Sequence, residues 1–327
     1  MITCQTRIER WELIEPFVIA RGSCSEIPVV VVELRDAVGH VGRGEAAGVD
    51  YDGETPQSIA AQIAALAGAI DDGLDGERLR RLLPPGGARN ALDCALWDLR
   101  AKQSGVPAWQ SAGLDGLEPV TTAFTIGLGD EATTRRKARA CGPYPILKLK
   151  VDAHRNVDVV RIVREEQPRA RLVVDANQGW SPELLERLLE PLAQLGVELI
   201  EQPLPRGDEA ALEGLRTPVP LAADESCTDR ASLAALAGRY RYANIKLDKC
   251  GGLTEALEMV VEARRLGFGL MIGNMCGTSL AMAPAFLIAQ CCRYVDLDGP
   301  LLQRRDRDRP MRFDGAVLHP PERALWG

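Results

Sequence analysis

Eight short apolar runs, each separated from the next by the length of one strand-plus-helix unit, limit what this chain can fold into. They are TTAFT ending at Thr125, ILKLK at Lys150, RLVVD at Asp175, VELIE at Glu201, PLAAD at Asp224, YANIK at Lys246, GLMIG at Gly273 and YVDLD ending near Asp298. Successive ends fall 25, 25, 26, 23, 22, 27 and 25 residues apart, a βα spacing. Runs this short suit strands buried on both faces of a parallel sheet. Between them the sequence predicts helices at Glu131–Ala140, His154–Glu166, Ser181–Leu195, Asp208–Leu215, Asp229–Ala237, Leu253–Leu266 and Ser279–Ala289. Ser181-Pro182-Glu183 opens the third with an N-cap and a proline at the first helical position. Seven helices and eight strands predict an α/β fold, a (β/α)7β TIM-like barrel over residues 117–300.

Residues 1–116 have a different texture. Strand-like stretches at Arg7–Leu13 and Pro28–Leu34 and the Gly-rich turn sequence DAVGHVGRGE come first, and helical stretches follow at SIAAQIAALAGAI and ARNALDCALWDLRAKQSG. Strands first and helices after indicate an α+β capping domain. The tail, residues 301–327, holds no βα unit and is expected to pack back on that domain. A net charge of -7 with no long basic run gives no reason to expect nucleic acid. No stretch of about 18 uncharged apolar residues predicts a membrane span, and the charged N-terminus lacks a signal-peptide apolar core. Nine cysteines without CxxC or a disulfide-framework spacing read as reduced thiols of a cytoplasmic protein. Assembly into a homo-oligomer is compatible with such a barrel.

A charged residue closing a barrel strand stands at the C-terminal rim, where barrels build active sites. Asp175, Glu201 and Asp224 close three consecutive strands. Hard oxygen ligands without neighbouring His or Cys favour Mg²⁺ over Zn²⁺. Each carboxylate alone would as readily cap the following helix; three in register beside lysines favour the metal. Lys148 and Lys150 lie two apart on one strand and share a face. Either that face is the barrel interior, or Leu147 and Leu149 point inward and the lysines outward. Lys246 comes four strands later, from the opposite wall, while Lys249 in KLDKCGG reads as a loop or supporting cation. Two lysines facing each other across a metal suit proton abstraction α to a carboxylate, one removing the proton and the other returning it on the opposite face. Positive neighbours and partial burial would lower a lysine's pKa for that role. Gly251-Gly252 reads as a tight βα turn, with phosphate binding at the helix N-terminus as the alternative.

The set KLK, VDANQGW, EQP, ADES, NIKLDKCGGLTEA and DLD resembles the enolase superfamily, in its muconate lactonizing enzyme subgroup, and within it the dipeptide epimerases. The likeness runs from FVIARGS at 17–23 through ARNALDCALWDL at 88–99 to DLDGP at 296–300, while GNMCGTS at 273–279 departs from the family pattern. The resemblance implies that Asp175, Glu201 and Asp224 hold Mg²⁺ and that Lys150 and Lys246 are the acid/base pair. It implies that Lys148 steers the substrate carboxylate, that Asp296 and Asp298 meet a substrate ammonium, and that Thr125 lines the site. Loops at Ala20–Ile27 and Gly48–Thr55 would close over the mouth, and Arg21 would reach a second substrate carboxylate or pair with Glu26. The implied activity is epimerisation of a dipeptide such as L-Ala-D/L-Glu through an enediolate. Apolar or basic dipeptides, or cycloisomerase or o-succinylbenzoate synthase chemistry, are the alternatives. A Schiff-base aldolase has no need of three converging carboxylates, and a non-catalytic barrel none of the lysine pair.

Overall fold

The computed structural model describes residues 2–142 and 144–327. Eight parallel strands pair in chain order: Phe124–Ile126, Ile146–Lys150, Arg171–Asp175, Val197–Glu201, Leu221–Ala223, Tyr242–Ile245, Gly269–Ile272 and Tyr294–Val295. The last meets the first through the Ala123 N–H, which donates to Val295 O at 2.7 Å, so the sheet closes. Alternate side chains on each strand face the barrel interior or the surrounding helices. Val173, Leu199, Ala222 and Met271 form a small core inside the barrel, while Leu147, Leu149, Leu172 and Val174 join the large core under the helices.

Full helices stand where the apolar period is sustained: Glu131–Ala140, Val157–Glu166, Pro182–Gln194, Leu253–Arg265 and Ser279–Ala289. The Ser181 cap is in place, its hydroxyl accepting from Leu184 N at 3.2 Å. Two crossovers are shorter than the sequence predicts. Asp208–Leu215 contains only a 3₁₀ turn, Glu209–Leu212, bracketed by Gly207 and Gly214 at positive φ. Asp229–Ala237 keeps only Leu233–Leu236. There Ser232 and Asp229 bond each other's backbone at 3.0 and 2.7 Å, the local pairing that competes with helix.

The capping domain is a three-stranded antiparallel sheet with helices on one face. Its strands Ile2–Ile19 and Gly22–Asp36 extend well beyond the two stretches read from sequence. Half of the Gly-rich segment is not a turn but the third strand, Val41–Ala46. Its glycines are needed because the helix Gly87–Ser104 lies directly on it. A Cβ on Gly44 would stand 2.0 Å from Ala91 O, and one on Gly42 2.2 Å from Ala95 O.

That helix also joins the two parts of the protein. Asp93 accepts from Thr254 N at 2.8 Å, so the N-terminus of the helix Leu253–Arg265 already holds a carboxylate. A Cβ on Gly252 would strike Asp93. The glycine pair is therefore a close-packing turn, and the phosphate reading fails because its position is filled. The tail lies on the capping domain too: Arg307 pairs with Glu9 and Glu45 at 2.6 and 2.5 Å, and Trp326 Nε1 donates to Cys94 O at 3.0 Å. Among the described residues no helix is long and apolar enough to cross a membrane, and all nine cysteines are free.

Candidate active site

Lys148 and Lys150 both point into the barrel, 2% and 7% exposed, while Leu147 and Leu149 face the outer core. Burying two ammonium groups is costly without partners, and both are partnered by carboxylates. Lys150 Nζ donates to Asp175 Oδ2 at 2.7 Å. Lys148 Nζ lies 2.8 Å from Glu201 Oε2, 2.8 Å from Asp296 Oδ2 and 3.1 Å from Asp175 Oδ2.

Asp175 and Glu201 end their strands, and Asp224 is the residue after Ala223. One oxygen from each lies within 4.8 Å of the others, and all three residues are fully buried. Glu201 Oε2 contacts Lys148 only as an ion pair, with no hydrogen bond directed at it. A buried acceptor so placed, in a cluster made of carboxylates alone, fits a hard divalent cation. Neighbouring groups fix the three. Asn177 N donates to Asp175 Oδ1 at 2.9 Å. Asn244 Nδ2 donates to Glu201 Oε1 at 2.8 Å. Gln202 Oε1 accepts from Asp224 N at 2.9 Å. Burial, reinforced by Asp175, lifts the Glu201 carboxyl to about 8. Burial also works to raise Asp175 and Asp224, but Lys150 and Lys148 hold the first below the usual carboxylate range, and Lys246 and Lys249 hold down the second.

Lys246 follows the sixth strand as Lys150 ends the second, so the two approach from opposite walls. Lys246 Nζ donates to Asp224 Oδ2 at 2.8 Å. Burial favours the neutral amine, but the Asp224 carboxylate outweighs it and holds Lys246 charged. Lys249 sits on the short helix Leu247–Cys250 and donates to Asp224 Oδ1 at 2.6 Å and Asn244 O at 3.0 Å. It braces a carboxylate from behind and does not line the cavity.

Asp296 and Asp298 reach the same cavity, though not from a strand. The last strand ends at Val295, and Asp298 precedes the short helix Gly299–Leu302. Asp298 Oδ2 accepts from Thr125 N at 2.7 Å, and Asn274 Nδ2 donates to Asp296 O at 2.7 Å. Asp296 Oδ1 has no hydrogen-bond partner. Burial and the neighbouring Asp296 charge push Asp298 up to about 7.

Residues 20–27 are not a loop: they are the tip and returning strand of the first hairpin. Both expected lid segments nevertheless cover the mouth of a cavity of about 300 Å³, which also takes in Lys148, Lys150, Lys246, Asp296 and Asp298. Phe17 covers Lys150, its ring centroid 5.9 Å from Nζ. Arg21 does not pair with Glu26, which binds Arg10. Its Nη1 donates to Glu225 Oε1 at 2.5 Å and to Asn177 O at 3.1 Å. Its guanidinium lies 4.8 Å above the Tyr51 ring, which links the two lids.

Several of these residues escaped the sequence reading. Asn244 was within reach of it, being two before Lys246 on a strand and so on the same face. Glu225 and Asn274 lie in loops and Tyr51 in a single 3₁₀ turn, Asp50–Asp52, where no periodicity assigns a direction.

Two buried lysines on opposite walls, a carboxylate triad between them and a two-part lid above make an enolase-type barrel site. The chain belongs to the mandelate racemase / muconate lactonizing enzyme family: residues 1–113 match its N-terminal domain and residues 128–324 the "Enolase C-terminal domain-like" family. It is 44% identical over 325 residues to L-Ala-D/L-Glu epimerase of Escherichia coli K12, covering 98% of this chain and 100% of that one. An enolase family member from Agrobacterium tumefaciens with homology to dipeptide epimerases, solved with sodium and L-Ala-L-Glu, superposes with a TM-score of 0.98 at 42% identity over 100% of both chains. A dipeptide epimerase from Methylococcus capsulatus, solved with Mg and L-Arg-D-Lys, gives 0.89 at 33% identity over 99% of both.

Proposed function

We propose that this protein is a metal-dependent dipeptide epimerase that inverts the α-carbon of the C-terminal residue, with L-Ala-D/L-Glu as its substrate pair. One observation carries the reading. Two buried lysines approach from opposite walls, each bonded to an outer member of a carboxylate triad, and Lys148 bridges that triad to Asp296, which with Asp298 lines the same cavity. The substrate is thus read as a short zwitterion, with its carboxylate by Lys148 and the triad and its ammonium by Asp296 and Asp298.

Asp175, Glu201 and Asp224 would hold a divalent cation such as Mg²⁺, which would supply positive charge at the substrate carboxylate. Lys148 adds charge at that end. Of Lys150 and Lys246, one takes the α-proton into its lone pair and the other delivers a proton to the opposite face. Each lysine is held in place by an outer carboxylate of the triad, Lys150 by Asp175 and Lys246 by Asp224. Phe17 and the lids keep water from the carbanion. The two hydrogen bonds of Arg21 both use Nη1, so Nε and Nη2 are left for a glutamate side chain. The reduced thiols fit a cytoplasmic setting.

A second reading takes a basic C-terminal residue. Arg21 is already matched by Glu225, and Glu26, Asp50 and Glu54 also line the cavity. Comparing Ala-Glu, Ala-Leu and Ala-Lys by the rate of α-inversion tests the assignment: it expects Ala-Glu to lead, and a lead for Ala-Lys overturns it in favour of the basic reading.

A further inference from the structure

A second cavity lies against the first, with part of its lining in common. Its volume is about 380 Å³, within the range of whole ligand pockets. It shares Phe17, Thr125 and Leu302 with the active-site cavity. Beyond that common wall it is lined by Ile14 of the hairpin, Phe124 stacked on Tyr144 at 4.5 Å, and the buried Cys141. Arg136 and Lys137 stand at its edge, both paired with Glu15, at 2.8 and 3.3 Å. The edge thus carries two positive charges against one negative. Ile14 is 54% exposed, an apolar side chain left facing this space.

Position ties the two cavities together. Thr125 N donates to Asp298 Oδ2, so an ammonium received by Asp298 sits beside the shared wall. The carbon bearing that ammonium also bears the first side chain of the dipeptide. We propose that the second cavity is the subsite for the N-terminal side chain, and that it takes apolar side chains larger than that of alanine while rejecting lysine and arginine. The proposal rests on the dipeptide reading above and extends it to the other end of the substrate. The apolar lining favours Leu, Met or Phe. A cationic side chain would meet the net positive edge.

The test measures kcat/KM for Ala-Glu, Leu-Glu, Phe-Glu and Lys-Glu on the wild type and on Ala140→Trp. Ala140 is the exposed last residue of its helix and lines the second cavity alone. The wild type should turn over Leu-Glu within about tenfold of Ala-Glu, with Lys-Glu lower by about a hundredfold. Ala140→Trp should slow Leu-Glu by about tenfold or more and leave Ala-Glu unchanged. Ile14→Trp, entering from the other wall, should do the same, which guards against a folding defect in either variant. An unchanged ratio of Leu-Glu to Ala-Glu in both variants overturns the proposal, as does wild-type turnover of Ala-Glu with rejection of Leu-Glu and Phe-Glu alike. Absence of turnover with every dipeptide overturns the epimerase reading and the subsite with it.

Discussion

Replacing Arg21 by Met separates the two roles that the structure gives this residue. The guanidinium binds Glu225 at 2.5 Å, and Glu225 is itself fully buried with Oε2 unpartnered. Removing the cation therefore strands a carboxylate whose pKa burial already raises, Asp224 adding to the rise. That loss acts on every substrate. A contact between Arg21 and a glutamate side chain acts on Ala-Glu alone. A hydrogen bond to a charged group is worth about 1.5–3 kcal/mol, which converts to a loss of about 10- to 150-fold in kcat/KM. The expected result is a drop of that size for Ala-Glu and of less than about threefold for Ala-Met once the stranded charge is removed. Arg21→Met with Glu225→Gln provides that correction, since the amide keeps the shape and needs no counter-ion. Steady-state kinetics by polarimetry on the single and double variants gives the numbers. Equal losses for Ala-Glu and Ala-Met in the double variant would refute the contact, leaving Arg21 as a lid residue.

Glu201→Gln should weaken Mg²⁺ binding, measured by calorimetry on the substrate-free protein, and abolish turnover; unchanged affinity would remove Glu201 from the ligand set. Lys150→Ala and Lys246→Ala should each stop epimerisation in both directions while still exchanging the α-proton of one epimer, a different epimer in each, read by NMR. Normal epimerisation by Lys246→Ala would contradict the pairing. Burial lifts the Asp248 carboxyl to about 7. The unfolded chain releases that proton near pH 4, so this group takes stability away as pH rises from about 4 to 7. Asp248→Asn should accordingly raise Tm at pH 8 and leave it unchanged at pH 4; an equal shift at both would show that titration is not the cause.

The barrel was legible because its strands are short, apolar and evenly spaced, and because the chemistry sits where each strand stops. Lys150, Asp175 and Glu201 end their strands, and Asp224 and Lys246 stand one residue past theirs. Asp298 shows the limit of that logic. The ladder stops at Val295 because Leu297 N turns to Thr122 Oγ1 at 2.9 Å, a side-chain contact that apolar patterning does not encode. The partner of Arg21 was illegible for a different reason: Glu225 lies 204 residues away, and Glu26 was the acid nearest in sequence. The contact between Lys246 and Asp224 was equally hidden, because apolar patterning does not show that the fold sets this carboxylate 2.8 Å from the ammonium. The two shortened helices had plausible apolar content, but Gly207, Gly214 and the Asp229–Ser232 turn break them locally.

The central claim is proton transfer at one carbon by two lysines, and isotope incorporation tests it most directly. Purified protein with Mg²⁺ and L-Ala-L-Glu in D₂O should form L-Ala-D-Glu carrying one deuterium at the glutamyl α-carbon and none at the alanyl α-carbon. Formation of the epimer without deuterium, or deuterium at the alanyl carbon instead, would contradict the account.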